Sequence, residues 1–213
     1  MAFSVKAIAQ GPVQANTHIL QDTATGQIAV VDAGDCTPAL LAALAGGEVR
    51  YILLTHGHFD HILGVAALKA QFPDAEICIH KADADCLSDP EKSLCVLDDS
   101  CVQTPVHPDR LLADGDTIAV GESTLTVLHT PGHTKGGVCY ADFDGRILCT
   151  GDTLFCLTAG RTDFAGGSDE ELLASLIRLK NLDGDFTVYT GHNRSTTLAF
   201  ERTHNRYMRR LQG

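Results

Sequence analysis

The sequence predicts a layered α/β sandwich that forms one domain over residues 1–213. Short apolar runs typical of strands alternate with helical segments both early and late in the chain, which indicates sheets covered by helices. No Pro/Gly/Ser-rich linker, block of like charges or low-complexity tract divides the chain. A chain of 213 residues is long enough to bury one substantial hydrophobic core. We therefore predict a single folding unit.

The first half of the chain is predicted to open with a β-hairpin and to continue as strand–helix–strand units. The turn 23–26 contains Gly26 and joins two strand-like runs, which indicates the hairpin. Thr37 and Pro38 are typical of an N-cap and a first helical residue. The predicted elements are strands over 3–9, 18–21, 27–31, 50–54 and 76–79, and helices over 37–45 and 62–71.

The second half is predicted to follow an irregular region over about residues 81–110, which is rich in turn formers such as Asp89-Pro90. Ser168 and Glu171 have the spacing of a capping box, which predicts the start of a helix. The predicted elements are strands over 117–120, 125–128, 137–141, 146–150 and 186–189, and helices over 168–179 and 198–211.

Composition and charge narrow the class of protein. A formal net charge of −11 disfavours a nucleic-acid-binding surface, which requires a basic face. No apolar run is long enough to span a bilayer, and the first residues lack the features of a signal peptide. Eight cysteines occur without a CxxC pair, so we expect reduced, mostly buried thiols and a cytosolic location.

The segment directly after the apolar run 51–54 holds three histidines and an aspartate. In an extended segment His56 and His58 project to the same side, since side chains repeat every two residues. Asp60 and His61 are adjacent in sequence and cannot easily point the same way, so they could serve a second centre. The alternative is that Asp60 caps a helix and the histidines are ordinary polar loop residues. Because imidazole and carboxylate groups are the ligands of zinc and similar ions, we predict a metal site.

Three further side chains of ligand type follow the ends of predicted strands. His133, Asp152 and His192 each come shortly after an apolar run of the second half. Open α/β folds place their ligands beyond strand ends, where loops converge on one edge. Each residue alone would be an ordinary loop residue, but four such strand ends together predict one shared site.

The number of ligands indicates two ions. Seven ligands are too many for one four-coordinate ion that must keep an open position. Two ions that share Asp152 and a hydroxide would use all of them. We predict two divalent metal ions per chain, with zinc preferred and iron or manganese as alternatives. The predicted ligands are His56, His58, Asp60, His61, His133, Asp152 and His192.

The pattern resembles that of the metallo-β-lactamase fold superfamily, whose HxHxDH motif with a further His, Asp and His is matched in full. Within it the chain looks most like the short, single-domain bacterial glyoxalase II-like hydrolases (hydroxyacylglutathione hydrolases). The segments that carry the resemblance are 55–61, 111–116, 129–134, 150–155, 160–164 and 191–205.

The resemblance implies an αββα four-layer sandwich with the metals at one sheet edge. It implies one metal site from His56, His58 and His133, a second from Asp60, His61 and His192, and Asp152 as a bridge. Catalysis is assigned to Asp60 and Asp152. The implied reaction is hydrolysis of a small-molecule thioester, S-D-lactoylglutathione or a related acylglutathione. A bridging hydroxide would attack the acyl carbonyl, a metal would stabilise the oxyanion, and a thiolate would leave.

Two residues outside the ligand set have predicted roles. Arg161 lies where longer glyoxalase II enzymes place a basic substrate-binding residue, so it is the predicted substrate anchor. The alternative role for Arg161 is an ion pair with an internal carboxylate. Asp32 is expected either to hydrogen-bond the metal loop or to form a turn.

Other reactions of this fold remain alternatives. A persulfide dioxygenase would use one iron held by two histidines and an aspartate, and metal content with oxygen consumption would separate it from a hydrolase. A lactonase or esterase would share the metal motif. A β-lactamase would ordinarily require an export signal. We expect neither a nucleic-acid nor a membrane partner, and the oligomeric state is open.

Overall fold

The computed structural model describes residues 3–210. Two six-stranded β-sheets form the centre of the fold. The strands of the first sheet lie side by side in chain order. The first three pair antiparallel, and the third to sixth pair parallel. They are β1 (Phe3–Gln10), β2 (Ala15–Asp22), β3 (Gln27–Val31), β4 (Glu48–Leu53), β5 (Glu76–His80) and β6 (Arg110–Leu112). The predicted hairpin is confirmed as β2 and β3.

The second sheet is mainly antiparallel and contains one parallel pair. Its strands are β7 (Thr117–Val120), β8 (Ser123–His129), β9 (Val138–Asp142), β10 (Ile147–Gly151), β13 (Thr187–Thr190) and β14 (Thr196–Thr197). A small separate hairpin is formed by β11 (Leu154–Phe155) and β12 (Thr158–Ala159). The order across the sheet is β14-β13-β10-β9-β8-β7, with β10 parallel to β13. The short strands β6, β11, β12 and β14 were not predicted from the sequence.

Helices cover the outer face of each sheet. They are α1 (Pro38–Leu44), α2 (Phe59–Ile62), α3 (Val65–Gln71), α4 (Asp169–Lys180) and α5 (Leu198–His204). Thr37 and Ser168 cap α1 and α4 as predicted, since their side-chain oxygens accept from the backbone N–H groups of Leu40 and Glu171.

Three buried clusters connect these elements into layers. In the first, Leu40 and Leu68 of the outer helices pack against the first sheet. In the second, residues such as Leu53 and Val127 fill the space between the two sheets. In the third, Leu176 of α4 packs against the outer face of the second sheet. The order helix, sheet, sheet, helix confirms the predicted αββα sandwich.

Two predicted helices differ from the structure. In place of the helix predicted over 62–71, the structure has two short helices, α2 and α3, which are separated by Leu63 and Gly64. The first of them, α2, begins earlier than predicted, within the segment that carries the predicted metal ligands. A Cβ on Gly64 would lie 2.3 Å from the backbone of Asp35, so this close approach requires glycine. The alternative role of Asp60 as a helix cap is wrong, because the N-cap of α2 is His58.

The closing helix predicted over 198–211 is too long. The helix α5 ends at His204, and a short 3-10 turn follows over Met208–Arg210. Asn205 stops the helix because its side-chain amide donates to the carbonyl of Thr158 while its backbone turns extended. Residue 211 lies outside the described part of the chain.

Neither disulfides nor a membrane-spanning helix occurs between residues 3 and 210. All eight cysteines lie in this range with unpaired thiols, and four of them are buried. The helices found there are all too short or too polar to cross a bilayer.

Candidate metal centre

The seven predicted ligands come together at one edge of the sandwich. His56 and His58 lie in the loop after β4, and Asp60 and His61 lie in α2. The remaining three follow β8, β10 and β13, as the strand-end argument predicted. The ends of strands from both sheets therefore supply one common site. The three that follow strands of the second sheet are His133, Asp152 and His192.

The ligand atoms form three overlapping groups in which all atoms lie within 4.8 Å of one another. These groups are His56, His58 and His133; Asp60, His61 and His192; and His56, His61 and Asp152. We call the first of them the first cluster and the second of them the second cluster. One carboxylate lies between the clusters: Asp152 is 3.5 Å from His133 Nε2 and 3.4 Å from His61 Nε2. The arrangement therefore has the form that two ions with one shared carboxylate would require.

The hydrogen bonds around the histidines direct their lone pairs into the centre. Thr55 donates its hydroxyl proton to Asp32, so the nearby Nδ1 of His56 must donate to Thr55 Oγ1 at 3.1 Å. The Nε2 of His56 is then an acceptor, and it is buried without a hydrogen-bond partner. Similarly, the Nδ1 atom of His133 donates to the carbonyl of Arg161 at 2.7 Å, which leaves its Nε2 facing the centre.

The unsatisfied atoms fit a metal ion. Besides His56 Nε2, the buried Oδ1 of Asp152 has no hydrogen-bond partner. His58 Nδ1 lies 2.8 Å from His133 Nε2, and His61 Nε2 lies 3.2 Å from His192 Nε2. Converging imidazole nitrogens with a carboxylate are the usual donor set for zinc and related divalent ions. The residues of the site therefore fit a zinc ion or a related divalent metal ion.

The electrostatics of the site also favour a bound cation. Burial and the neighbouring His133 lower the pKa of His58 to about 3, so its imidazole is neutral and free to act as a ligand. Burial lowers the pKa of His61, but nearby carboxylates, of which Asp152 is the strongest, outweigh it and raise that pKa well above its usual value. Burial raises the pKa of Asp152, but the surrounding histidines, of which His61 is the strongest, together outweigh it, so the net shift is downward. A carboxylate that stays ionised attracts positive charge to the centre.

Asp32 supports the metal loop. Its carboxylate accepts from the backbone N–H and the hydroxyl of Thr55, each at 2.8 Å, and from Nδ1 of His61 at 2.9 Å. This confirms the expectation that Asp32 hydrogen-bonds this loop. Its backbone is left-handed, with φ of 58°.

The loop that carries His192 is held by residues that the sequence analysis did not identify. Asn16 of β2 donates to the carbonyls of Thr190 and Asn193, both at 2.9 Å. His18 of the same strand donates to Thr190 at 3.0 Å. No local pattern in the sequence links β2 to this loop, since the bonds join residues more than 170 positions apart.

A cleft of about 520 Å³ opens onto both clusters. Its walls are largely apolar and include Val13, Leu97 and Phe155. Arg161 also lines the cleft, and its guanidinium group lies 4.0 Å from the ring centre of Phe164.

Arg161 is paired with a carboxylate as well as facing the cleft. Its Nε and Nη2 atoms donate to the two oxygens of Asp163, each at 2.6 Å. Both side chains are more than half exposed, so the partner is not the internal carboxylate that the alternative envisaged.

The chain matches the model of the metallo-beta-lactamase superfamily over residues 10–192. It is 36% identical over 202 residues to an uncharacterized protein of Aquifex aeolicus, an alignment that covers 94% of this chain and 95% of that one. It is 35% identical over 177 residues to a hydroxyacylglutathione hydrolase of Rhodopseudomonas palustris, covering 82% of this chain and 61% of that enzyme.

Two solved structures are similar along nearly their whole length. The BLEG-1 B3 metallo-beta-lactamase is 33% identical with a TM-score of 0.90, and the match covers 96% of this chain and 99% of that one. TTHA1623 in a di-iron-bound form is 32% identical with a TM-score of 0.84, covering 95% and 99%. With the fold, the match over residues 10–192 and these relatives, the chain belongs to the metallo-β-lactamase superfamily.

Proposed function

We propose that this protein is a dinuclear metal-dependent hydrolase that cleaves a thioester, with S-D-lactoylglutathione or a related acylglutathione as its substrate. The observation that carries the proposal is the convergence of all seven ligand side chains into two clusters that share one cleft. Each cluster has three protein ligands of its own, as a catalytic metal with an open position requires. The hydroxyacylglutathione hydrolase relative supports the choice of substrate. Zinc is the proposed metal, with iron or manganese as alternatives.

The roles of the residues follow from their positions. His56, His58 and His133 would hold one ion, Asp60, His61 and His192 the other, and Asp152 would bridge them. Two bound ions would lower the pKa of a shared water and polarise the substrate carbonyl. Asp60 and Asp152 would contribute the negative charge that retains the cations, since the pKa of each carboxylate is lowered by the neighbouring histidines. The apolar walls of the cleft would contact the acyl group.

The cleft favours a substrate with a good leaving group. Outside the seven ligands, the only titratable residue among those that line the cleft is Arg161, which is paired with Asp163. Within the described part of the chain, no spare acid is therefore placed at the cleft to protonate a departing alkoxide or amine. A thiolate needs none, because the pKa of a thiol, about 8.5, lies far below that of an alcohol.

The test is a comparison of substrates with zinc-reconstituted protein. We expect S-D-lactoylglutathione to be hydrolysed with a kcat/KM at least about a hundredfold above that of an oxygen ester of the same acyl group, since the missing acid penalises only the ester. The activity should disappear in His58→Ala, which locates it at this site. Equal rates for the thioester and the ester, or no thioester hydrolysis by folded and metal-loaded protein, would contradict the proposal.

A β-lactam is the second candidate substrate, because BLEG-1 resembles this chain over nearly its whole length. Hydrolysis of a chromogenic β-lactam in the same assay, at a higher kcat/KM than the thioester, would favour it. A persulfide dioxygenase would bind one iron and consume oxygen. It would leave several of the seven converging ligands without a role.

Arg161→Ala is expected to raise the KM for lactoylglutathione about fivefold and to leave kcat nearly unchanged. The guanidinium group keeps free N–H donors beside the cleft for a glutathione carboxylate, but an exposed ion pair contributes little. The control substrate is the lactoyl thioester of N-acetylcysteamine, which has no carboxylate, and its KM should not change. An equal rise for both substrates would indicate that Arg161 acts through the packing of Phe164 instead.

A further inference from the structure

The carboxylate of Asp83 joins two loops of the metal centre. Asp83 lies in the turn after β5 and is only 4% exposed. Its Oδ2 accepts from the backbone N–H of Gly57 at 3.0 Å and from the hydroxyl of Thr134 at 2.7 Å. Its Oδ1 accepts from the backbone N–H of Gly136 at 2.7 Å. A single buried side chain therefore satisfies three donors from two separate loops.

All three donors belong to the loops that carry the first cluster. Gly57 stands between His56 and His58, and Thr134 directly follows His133. The hydrogen bonds of the Asp83 carboxylate therefore connect the segment that holds two ligands to the segment that holds the third. Among its hydrogen bonds, none reaches a residue of the second cluster.

The surroundings of Asp83 leave the carboxylate little freedom. Its backbone N–H donates to the carbonyl of His80 at 3.0 Å, and its own carbonyl accepts from Cys86 at 3.0 Å. A Cβ on Gly136 would lie 2.5 Å from Asp83 Cγ, and one on Gly57 would lie 2.5 Å from the Cβ of Cys86. The two glycines therefore allow the loops to approach this turn more closely than any other residue would.

We propose that Asp83 is a positioning residue for the first cluster, which sets the spacing of its three histidines and thereby the metal affinity of that cluster. The ring nitrogens of His58 and His133 lie 2.8 Å apart and come from the two loops that Asp83 connects. Loss of the carboxylate leaves buried donors unpaired and frees the loops to separate. Groups that orient metal ligands in this way typically change metal affinity about 10- to 100-fold when removed.

The second cluster has a different supporting carboxylate. Asp32 accepts directly from Nδ1 of His61, which is a member of the second cluster, and it contacts His56 of the first cluster only indirectly, through Thr55. Asp83 and Asp32 do not share a donor. The loss of Asp83 should therefore affect one cluster and spare the other. This inference rests on the proposed metal centre but not on the thioester as its substrate.

The test measures zinc content after dialysis against limiting zinc, in the absence of substrate. We expect Asp83→Ala to retain about one ion per chain and to bind the other about 10- to 100-fold more weakly. His192→Ala, which removes a ligand of the second cluster, should also retain about one ion. The double variant should retain almost none. Asp85→Asn is the control, because Asp85 is exposed two positions away and pairs with Lys92.

The double variant decides the proposal. If it retains as much zinc as His192→Ala alone, Asp83 does not act on the first cluster and the proposal is wrong. The same holds if Asp83→Ala only lowers the unfolding temperature and leaves both zinc affinities unchanged. Should Asp83→Ala fail to fold, Asp83→Asn takes its place, because its amide keeps one acceptor oxygen and should show a smaller loss at the same cluster. Zinc content is independent of turnover, so failure of the thioester proposal would be seen separately.

Discussion

Asp152→Ala is expected to remove both metal ions and to lower hydrolysis about a thousandfold or more. Among residues 3–210, Asp152 is the one carboxylate within 3.6 Å of ring nitrogens from both clusters, with contacts to His133, His61 and His192. Its loss would remove the carboxylate that the two proposed ions share and the negative charge between them. The imidazoles of the first cluster would then face one another without a carboxylate between the clusters, and only Asp60 would remain at the second cluster, which disfavours two bound ions. Zinc content and initial rates with S-D-lactoylglutathione measure the two effects.

A matched control separates this effect from a general loss of charge. Asp144 is an exposed carboxylate in the turn between β9 and β10, and its side chain has no part in the centre. Asp144→Ala should keep both ions and full turnover. If Asp152→Ala kept its metal content and turnover as well, Asp152 would not be the bridge and the two-ion assignment would fail.

The convergence of the seven predicted ligands could be predicted from the sequence, because the pattern that indicates it is local. His56 and His58 alternate along an extended segment, and three further ligands each follow the end of an apolar strand. Strands that end at one edge bring such residues together whatever the length of the intervening chain. The position of Asp152 between the clusters agrees with the role that the family resemblance implied.

The residues that hold the ligands were less predictable, because they act on the backbone of distant segments. Asp83 reaches Gly57 across 26 positions and Gly136 across 53 positions, and Asn16 reaches Thr190 across 174. A hydrogen bond to a backbone N–H requires no particular residue type in the partner, so the sequence contains no matching pair to find. Asp83 lies in the irregular region over residues 81–110, for which the sequence indicated only turn-forming residues.

The same reason explains the errors in helix length. The spacing of apolar residues over 62–71 predicts one helix correctly in type, but a contact with the backbone of Asp35 decides where it is interrupted. Asn205 ends α5 through a hydrogen bond to the carbonyl of Thr158, which lies in the β11–β12 hairpin. Periodicity reports which face of a helix is buried, whereas tertiary contacts decide where the helix stops.

Asp32→Ala is expected to lower the free energy of unfolding of the metal-free protein by about 3 kcal/mol or more. It should also weaken metal binding about 10- to 100-fold, most strongly at the second cluster, whose His61 contacts Asp32 directly. The variant leaves three buried donors unpaired, namely the N–H and hydroxyl of Thr55 and the Nδ1–H of His61. Alanine is also strained at a φ of 58°, where aspartate is better tolerated. Urea unfolding of the metal-free protein and zinc titration of the folded protein measure the two effects.

Asp32→Asn separates the two causes, because asparagine tolerates the left-handed backbone and keeps one acceptor oxygen. It should therefore lose less stability than Asp32→Ala, yet its amide carries no charge and has only one acceptor oxygen, so it cannot accept from all three donors as the two carboxylate oxygens do. Metal affinity should accordingly fall in both variants, while the larger loss of stability belongs to alanine alone. If Asp32→Asn bound zinc as tightly as the wild type, the orientation of His61 would not depend on this carboxylate. Its contribution would then be confined to the backbone of the metal loop.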